Sequence, residues 1–131
     1  MDTTGYVYFA AKTENESIDL EWFNLRLSLL PTRFSKMFER GKTPVCTSWD
    51  YSSAKLINPI FGEEIDRLIA VLAQHKEEFL KLKTENPEIC FVLEVVIYHG
   101  EETPGLSFSK EVLDFVHAVG AEIDCDIYNY K

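Results

Sequence analysis

The stretch from Glu88 to His99 is the most apolar run of the chain, and it constrains the fold more than any other segment. It is rich in β-branched and aromatic residues, which favour strands. A polar loop and a helical pattern from Ser109 to Val119 follow, and then Glu122–Tyr128 alternates between polar and apolar residues. A strand that alternates in this way has one face in a core and one face in water. The sequence therefore predicts a sheet with one covered and one open face.

The remaining predicted elements come earlier in the chain. They are a strand over 5–12, a helix from about 17 to 30, a strand over about 45–51, and a helix over about 62–83 that loosens or breaks at His75 or Lys76. Residues 31–43 and 52–61 are predicted as loops. The predicted fold class is α/β (α+β), with a single four-stranded mixed sheet in the order β-α-β-α-β-α-β and helices packed mainly on one face. If the last helix crosses over the sheet, the last two strands are parallel.

A length of 131 residues predicts a single domain that spans residues 1–131. No apolar run approaches the roughly 20 residues that cross a bilayer, and the first residues lack the features of a signal peptide. We therefore expect a cytoplasmic protein that does not contact membranes. Three cysteines form no CxxC pair and are interpreted as buried thiols: Cys46, Cys90 and Cys125.

The chain carries 22 acidic and 13 basic residues, which gives a formal net charge of −9. Nucleic acid is repelled by such a surface, so we expect no nucleic-acid partner. A basic protein partner is attracted instead. The simpler alternative is that the charge keeps the protein soluble.

Motifs for catalysis and metal binding are absent from the sequence. There is no GxSxG, no Cys-His signature and no HxH or HExxH, so we assign no catalytic residue, no metal site and no cofactor. Asp124 and Asp126 point the same way on the last strand, with Glu122 beside them. Paired carboxylates do acid–base work or bind a divalent cation, but an exposed strand face explains the alternation without either function.

The clearest functional pattern is a set of aromatic and acidic residues on the predicted strand faces that point away from the helices. Tyr and Trp anchor protein interfaces, and carboxylates around them select a basic partner. The alternative is that the rings pack under a loop or against a second copy of the chain. The face of Trp49 stays undecided, because its strand is short. The candidate binding residues are Tyr6, Tyr8, Trp49, Glu94, Tyr98, Asp124, Asp126 and Tyr128.

The chain also resembles a bacterial family catalogued as domain of unknown function 4279, over nearly its whole length. The resemblance lies in Tyr6–Phe9, the step Leu30-Pro31-Thr32, the triplet Thr47–Trp49 and the ending Gly120–Tyr128. Leu30 before Pro31 and Cys125 between the aspartates depart from the family pattern. The resemblance implies a small cytoplasmic α/β domain with no established activity. In size and acidity such proteins are similar to the immunity proteins of bacterial toxin systems.

The leading hypothesis is a non-catalytic protein-binding domain, whose immunity-type form neutralises a basic toxin through the acidic, aromatic face. The alternative is a small-ligand domain, or an enzyme with an anionic substrate, near the basic segment 31–43. There Arg33, Lys36 and Arg40 are the candidate anion-binding residues. A third alternative is a homodimer formed through the same open face.

Overall fold

The computed structural model describes residues 1–129 and contains a single six-stranded mixed sheet with four helices. The last two residues of the predicted single domain, 130 and 131, lie outside the described residues. The strands are β1 (Thr4–Thr13), β2 (Arg33–Ser35), β3 (Thr47–Ser52), β4 (Leu56–Ile57), β5 (Cys90–His99) and β6 (Glu122–Asn129). The helices are α1 (Leu20–Asn24), α2 (Phe61–Ala73), α3 (Lys76–Glu85) and α4 (Lys110–Val119). None of the helices within residues 1–129 has the length and apolarity that a membrane crossing demands.

The strand order is β2-β3-β1-β5-β6, with β4 pairing to β1 outside that path. β1 lies at the centre and pairs antiparallel with β3, β4 and β5. β5 and β6 are parallel, which confirms the predicted crossover through α4. α4 begins at the predicted N-cap, because the hydroxyl of Ser109 accepts a hydrogen bond from the backbone N–H of Val112.

The predicted count of four strands is wrong, because two short strands lie in segments predicted as loops. β2 interrupts the basic segment 31–43, and β4 lies within residues 52–61. They are three and two residues long, which is too short to display the alternation by which a strand is recognised. Pairing to longer neighbours defines them instead: β2 to β3, and β4 to the first residues of β1. The prediction of a single mixed sheet is confirmed.

The predicted helices differ in length from the observed ones. The long helix predicted over 62–83 is divided into α2 and α3 beside His75, where loosening was predicted. α1 ends at Asn24 rather than near Leu30. The reason is local: the backbone N–H of Ser28 donates to the carboxylate of Glu78, at 3.0 Å, instead of extending the helix.

The helices cover one face of the sheet, and the core lies between the helices and that face. Phe79 of α3 is the hub, since its ring lies 5.3–6.4 Å from four aromatic rings of the sheet and of α4. Those rings belong to Phe9, Trp49, Phe91 and Phe115. The predicted orientation of β1 is confirmed, with Val7, Phe9 and Ala11 in the core.

Trp49, whose face the sequence leaves undecided, lies in this core with 0% exposure, so its inclusion among the open-face candidates is wrong. The cause is strand register. Trp49 pairs with Ala11, which faces the helices, and neighbours on paired strands share a face. The β3 residues on the open face are therefore the alternating ones, Ser48, Asp50 and Ser52.

The interpretation of all three cysteines as buried thiols is also wrong. Cys90 is exposed at the first position of β5, on the open side, where its partner on β1 is Lys12. Cys46 and Cys125 are only partly buried, and all three are free thiols. Position at a strand end, rather than residue type, sets the exposure of Cys90.

Candidate functional site

The face of the sheet that the helices leave uncovered is called the open face below. Its residues alternate with the core residues on five strands and are neighbours through the strand registers. Its polar and aromatic side chains include Tyr6, Tyr8 and Lys12 of β1, Arg33 of β2, Ser48, Asp50 and Ser52 of β3, Glu94 and Tyr98 of β5, and Asp124, Asp126 and Tyr128 of β6.

Two stacked tyrosine pairs form the aromatic part of the open face. The ring centroids of Tyr6 and Tyr8 are 5.8 Å apart, and those of Tyr98 and Tyr128 are 5.3 Å apart. A hydrogen bond between Tyr6 and Tyr98 links the two pairs. Burial raises the pKa of Tyr8, and the charges of Glu94 and Asp50 raise it further. Burial likewise raises the pKa of Tyr6, so both hydroxyls remain protonated at neutral pH.

Glu94, Asp124 and Asp126 form an acidic cluster beside these rings. The parallel register pairs Glu94 with Asp124 and places Asp126 two residues further along β6, on the same face. One carboxylate oxygen from each of the three residues lies within 4.8 Å of the other two. Asp124 is exposed and Asp126 is partly exposed, whereas Glu94 is only 6% exposed. The cluster therefore has one buried carboxyl group and two that reach solvent.

The buried position of Glu94 changes its acidity. Burial, together with the hydrogen bond and negative charge of Asp124, raises the pKa of Glu94 to about 7. Asp126 contributes in the same direction, while the ammonium group of Lys12 acts against it. Oε2 of Glu94 is buried and has no hydrogen-bond partner among residues 1–129. Such an orphaned buried oxygen is costly, and in native proteins it calls for an explanation.

A second set of charged residues lies at the opposite edge of the open face, on β2 and β3. Arg33 pairs with Asp50 in the β2–β3 register, and both line a small cleft of about 110 Å³ together with Tyr6, Tyr8 and Ser52. Burial raises the pKa of Asp50, against the opposing effects of a 2.5 Å hydrogen bond from Ser48 and the charges of Lys12 and Arg33. Cations and carboxylates are thus interleaved here, in contrast to the acidic cluster.

Sequence reasoning missed Lys12 and Asp50 as open-face residues. The alternation that places Tyr6 and Tyr8 on this face extends to Lys12 by simple continuation, so that signal was present. Asp50 was hidden because β2, the strand that presents Arg33 to it, is too short to recognise.

The candidate anion-binding residues do not share one site. Arg33 lies on the open face beside Asp50, as described above. The ammonium group of Lys36 donates to the backbone carbonyls of Glu16 and, at 2.7 Å, of Ile18. Arg40 pairs with the neighbouring Glu39 at 3.1 Å. Lys36 therefore holds the turn before α1, and Arg40 is engaged at the surface.

Ser28, His75 and Glu78 are the residues whose contacts most resemble a catalytic constellation. Both Ser28 Oγ and Glu78 Oε1 lie 3.1 Å from the same ring nitrogen, Nδ1 of His75. A Ser–His–carboxylate relay requires the hydroxyl and the carboxylate on opposite ring nitrogens. Although burial raises the pKa of Glu78, hydrogen bonds from Ser28 and His75 lower it below its usual value. The cluster joins the segment after α1 to the start of α3, which is a structural role.

Comparison with known proteins gives one match. A family model described as a domain of unknown function (DUF4279) matches residues 3–130, which is nearly the whole chain. The residues that suggested this resemblance are all within the matched range. No curated protein and no solved structure matches the chain.

Proposed function

This chain belongs to the DUF4279 family, and from that premise we propose that it is a non-catalytic domain that binds a basic protein partner through the open face of its sheet. The observation that carries the proposal is the composition of that face. Stacked tyrosines lie beside carboxylates on a sheet surface that no helix covers within residues 1–129. A sheet that packs on only one side leaves its other face available to a partner.

The tyrosines supply the apolar part of such an interface. Tyr128 is 51% exposed and stacks on Tyr98, so its ring presents a broad surface at the edge strand. Stacking restrains both rings before any partner arrives, which lowers the entropy lost on association. Tyrosine is also among the residues that most often dominate binding energy at interfaces.

Charge supports a basic partner. The chain has a formal charge of −9, and Asp124 and Asp126 bring two carboxylates to the rim of the tyrosine pair. An arginine or lysine of the partner would find acceptors there and would relieve the repulsion among the three acidic groups. In the immunity-type form of this proposal, the basic partner is a toxin.

The contacts among residues 1–129 support a binding role over a catalytic one. His75, the histidine nearest to a serine, has its hydroxyl and carboxylate neighbours on one ring nitrogen. Burial raises the pKa of the Cys125 thiol, as do the charges of Asp124, Glu94 and Asp126, which leaves that thiol protonated and weakly nucleophilic. The alternative of an anionic ligand near residues 31–43 has less support, because Lys36 and Arg40 already have partners.

Affinity capture with matched variants tests the proposal. The face variant combines Asp124→Asn, Asp126→Asn and Tyr128→Ala. The control variant combines Glu77→Gln, Glu111→Gln and Leu113→Ala, which removes the same charge and one exposed apolar side chain from the helical side. All buffers contain EDTA, and light scattering on each protein reports whether the chain forms a homodimer.

We expect a basic protein to be retained by the wild type and by the control variant but not by the face variant. That protein, once purified, should bind in calorimetry with an affinity that falls as salt rises. The proposal fails if the face variant retains the same proteins as the wild type. It fails equally if an acidic partner, or only a second copy of the chain, occupies the face.

A further inference from the structure

We propose that Glu94, Asp124 and Asp126 form a binding site for a hard divalent cation, with Ca²⁺ as the best-fitting ion. This inference goes beyond the protein-binding role above, because the ion binds to this chain alone. It rests on two independent observations: the spacing of the three carboxylates and the unpartnered oxygen of Glu94.

The spacing of the oxygens fits one coordination shell. Ca²⁺ binds oxygens at about 2.3–2.6 Å, so ligands on opposite sides of the ion are about 4.6–5.2 Å apart. One oxygen from each carboxylate already lies within 4.8 Å of the others. The Mg²⁺ shell is smaller, with ligands at about 2.0–2.1 Å and so at most about 4.2 Å apart. Ca²⁺ therefore accepts any separation up to the 4.8 Å bound, whereas Mg²⁺ accepts only separations in the shorter part of the range.

The unpartnered oxygen makes this cluster different from an ordinary exposed acidic surface. Glu94 is 94% buried, and its carboxyl group is hydrogen-bonded to Asp124, yet its Oε2 has no hydrogen-bond partner among residues 1–129. Its carboxyl group meets the two aspartates because β5 and β6 pair in parallel at Glu94 and Asp124. A cation among the three groups would displace the proton that Glu94 shares with Asp124 and would offset the charges of three carboxylates that otherwise repel each other.

The donor set determines the class of ion. All three ligands are carboxylates, and hard oxygen ligands favour Ca²⁺, Mg²⁺ and Mn²⁺ over Zn²⁺, which prefers nitrogen and sulfur. Cys125 lies between the two aspartates in sequence, but its position in the alternation turns it to the helical side of the sheet. Asp124 and Asp126 reach solvent, so water molecules can fill the remaining positions around the ion.

Lys12 is a competing cation. It lies on the open face of β1, and its charge acts on Glu94. The positive charge of its ammonium group offsets part of the negative charge of the carboxylates, which a bound divalent ion would offset to a larger extent. Replacing Lys12 with a neutral residue should therefore strengthen cation binding. This variant tests the proposal by a gain in affinity, whereas the other variants test it by a loss.

Terbium luminescence provides the direct test, because Tb³⁺ occupies Ca²⁺ sites and is excited through nearby tyrosines. Tyr8 pairs with Glu94 across β1 and β5, and Tyr98 lies four residues along β5. The protein is first freed of metal with EDTA and then titrated with Tb³⁺. CaCl₂, MgCl₂ and MnCl₂ are added as competitors. Calorimetry with CaCl₂ measures affinity and stoichiometry without the probe.

We expect saturable binding of one ion per chain, with Ca²⁺ a better competitor than Mg²⁺. Glu94→Gln and Asp126→Asn should each weaken Ca²⁺ binding about tenfold or more, and Lys12→Gln should strengthen it. Asp126 is partly exposed, so its variant should fold normally. Glu102→Gln, an exposed change away from β5 and β6, should leave the affinity unchanged.

The proposal is overturned if no saturable site exists at millimolar Ca²⁺, or if Glu94→Gln and Asp126→Asn bind as tightly as the wild type. Partner capture in EDTA is independent of this result. Loss of cation binding with partner capture intact rejects only the cation site, and the reverse outcome rejects only the protein-binding role.

Discussion

Glu94 of β5 and Asp124 of β6 are hydrogen-bonded across a parallel strand pair, although both carry acidic side chains. Two carboxyl groups can share such a bond only when one of them holds a proton. Glu94 is the buried partner, and burial together with Asp124 raises the pKa of its carboxyl group to about 7. The protonation state of this pair therefore changes near neutral pH.

The raised pKa of Glu94 predicts that the contribution of Glu94 to stability falls as the pH rises from about 4.5 to about 7. Below that window the carboxyl group is protonated in both the folded and the unfolded chain. Within it, the unfolded chain releases the proton first, so ionisation favours unfolding; above it, both states are ionised. The shift limits the loss in the free energy of unfolding to roughly 3 kcal/mol. Urea unfolding in EDTA across this pH range measures it.

Glu94→Gln isolates this contribution from those of other titrating groups. The difference in the free energy of unfolding between the variant and the wild type should grow in the variant's favour as the pH rises. Glu122→Gln, at the exposed start of β6, should follow the wild type throughout. If the Glu94→Gln and wild-type profiles stayed parallel, the buried and protonated state of Glu94 would be rejected.

The central position of Phe79 in the core gives the second prediction, a large loss of stability when its ring is removed. Its ring contacts Phe9, Trp49, Phe91 and Phe115, and it is fully buried. Phe79→Ala should cost about 3–5 kcal/mol, because the cavity lies among rings that cannot all collapse into it. Leu113→Ala on α4 provides the matched control, since Leu113 is 48% exposed and should change stability by less than about 0.5 kcal/mol. Equal effects in urea unfolding would contradict this assignment of the core.

The stacked pair on the open face gives the third prediction. Tyr98 and Tyr128 should show a coupling energy of about 0.5–1.5 kcal/mol in a double-mutant cycle of alanine substitutions. Tyr51 faces the core on the other side of the sheet, so Tyr51 and Tyr128 should be additive in the same measurement. A coupling near zero for Tyr98 and Tyr128 would mean that the stacking contributes nothing to the folded state.

The alternation of polar and apolar residues in the sequence predicted much of the fold and of the candidate site. It assigned Tyr6, Tyr8 and Tyr98 to the open face, and Asp124 and Asp126 to the same side of the last strand, as observed. Alternation relates residues within one strand only. That Glu94 meets both aspartates depends on the register between β5 and β6, which is decided by packing across the whole sheet.

The sequence leaves the face of Trp49 undecided for the same reason. β3 contains aromatic and polar residues on both sides, so its own sequence leaves the buried face undecided. The decision comes from pairing with Ala11, whose small side chain leaves room on the core side for a large ring. The short strands β2 and β4 are defined by pairing with their neighbours. A segment of three or two residues is too short for its own sequence pattern to predict a strand.

Gly5 marks a close approach between strands, and it gives the last prediction. A Cβ atom built at Gly5 would lie 2.1 Å from the backbone oxygen of Val96 and 3.1 Å from the ring of Phe61. The first contact is with the backbone of β5, which is held by its pairing to β1 and cannot yield as a flexible side chain would. Gly5→Ala should therefore cost more than about 3 kcal/mol, at or above the upper end of overpacking effects.

Gly105→Ala is the control for this substitution, because a Cβ at Gly105 meets no atom within 4 Å and its φ lies outside the left-handed region. It should change the free energy of unfolding by less than about 0.5 kcal/mol. Urea unfolding followed by circular dichroism compares the two variants, and failure of Gly5→Ala to accumulate as folded protein counts as the expected loss. Equal midpoints for Gly5→Ala and the wild type would show that β1 and β5 separate at little cost, and the tight register that brings Tyr8 beside Glu94 would then be wrong.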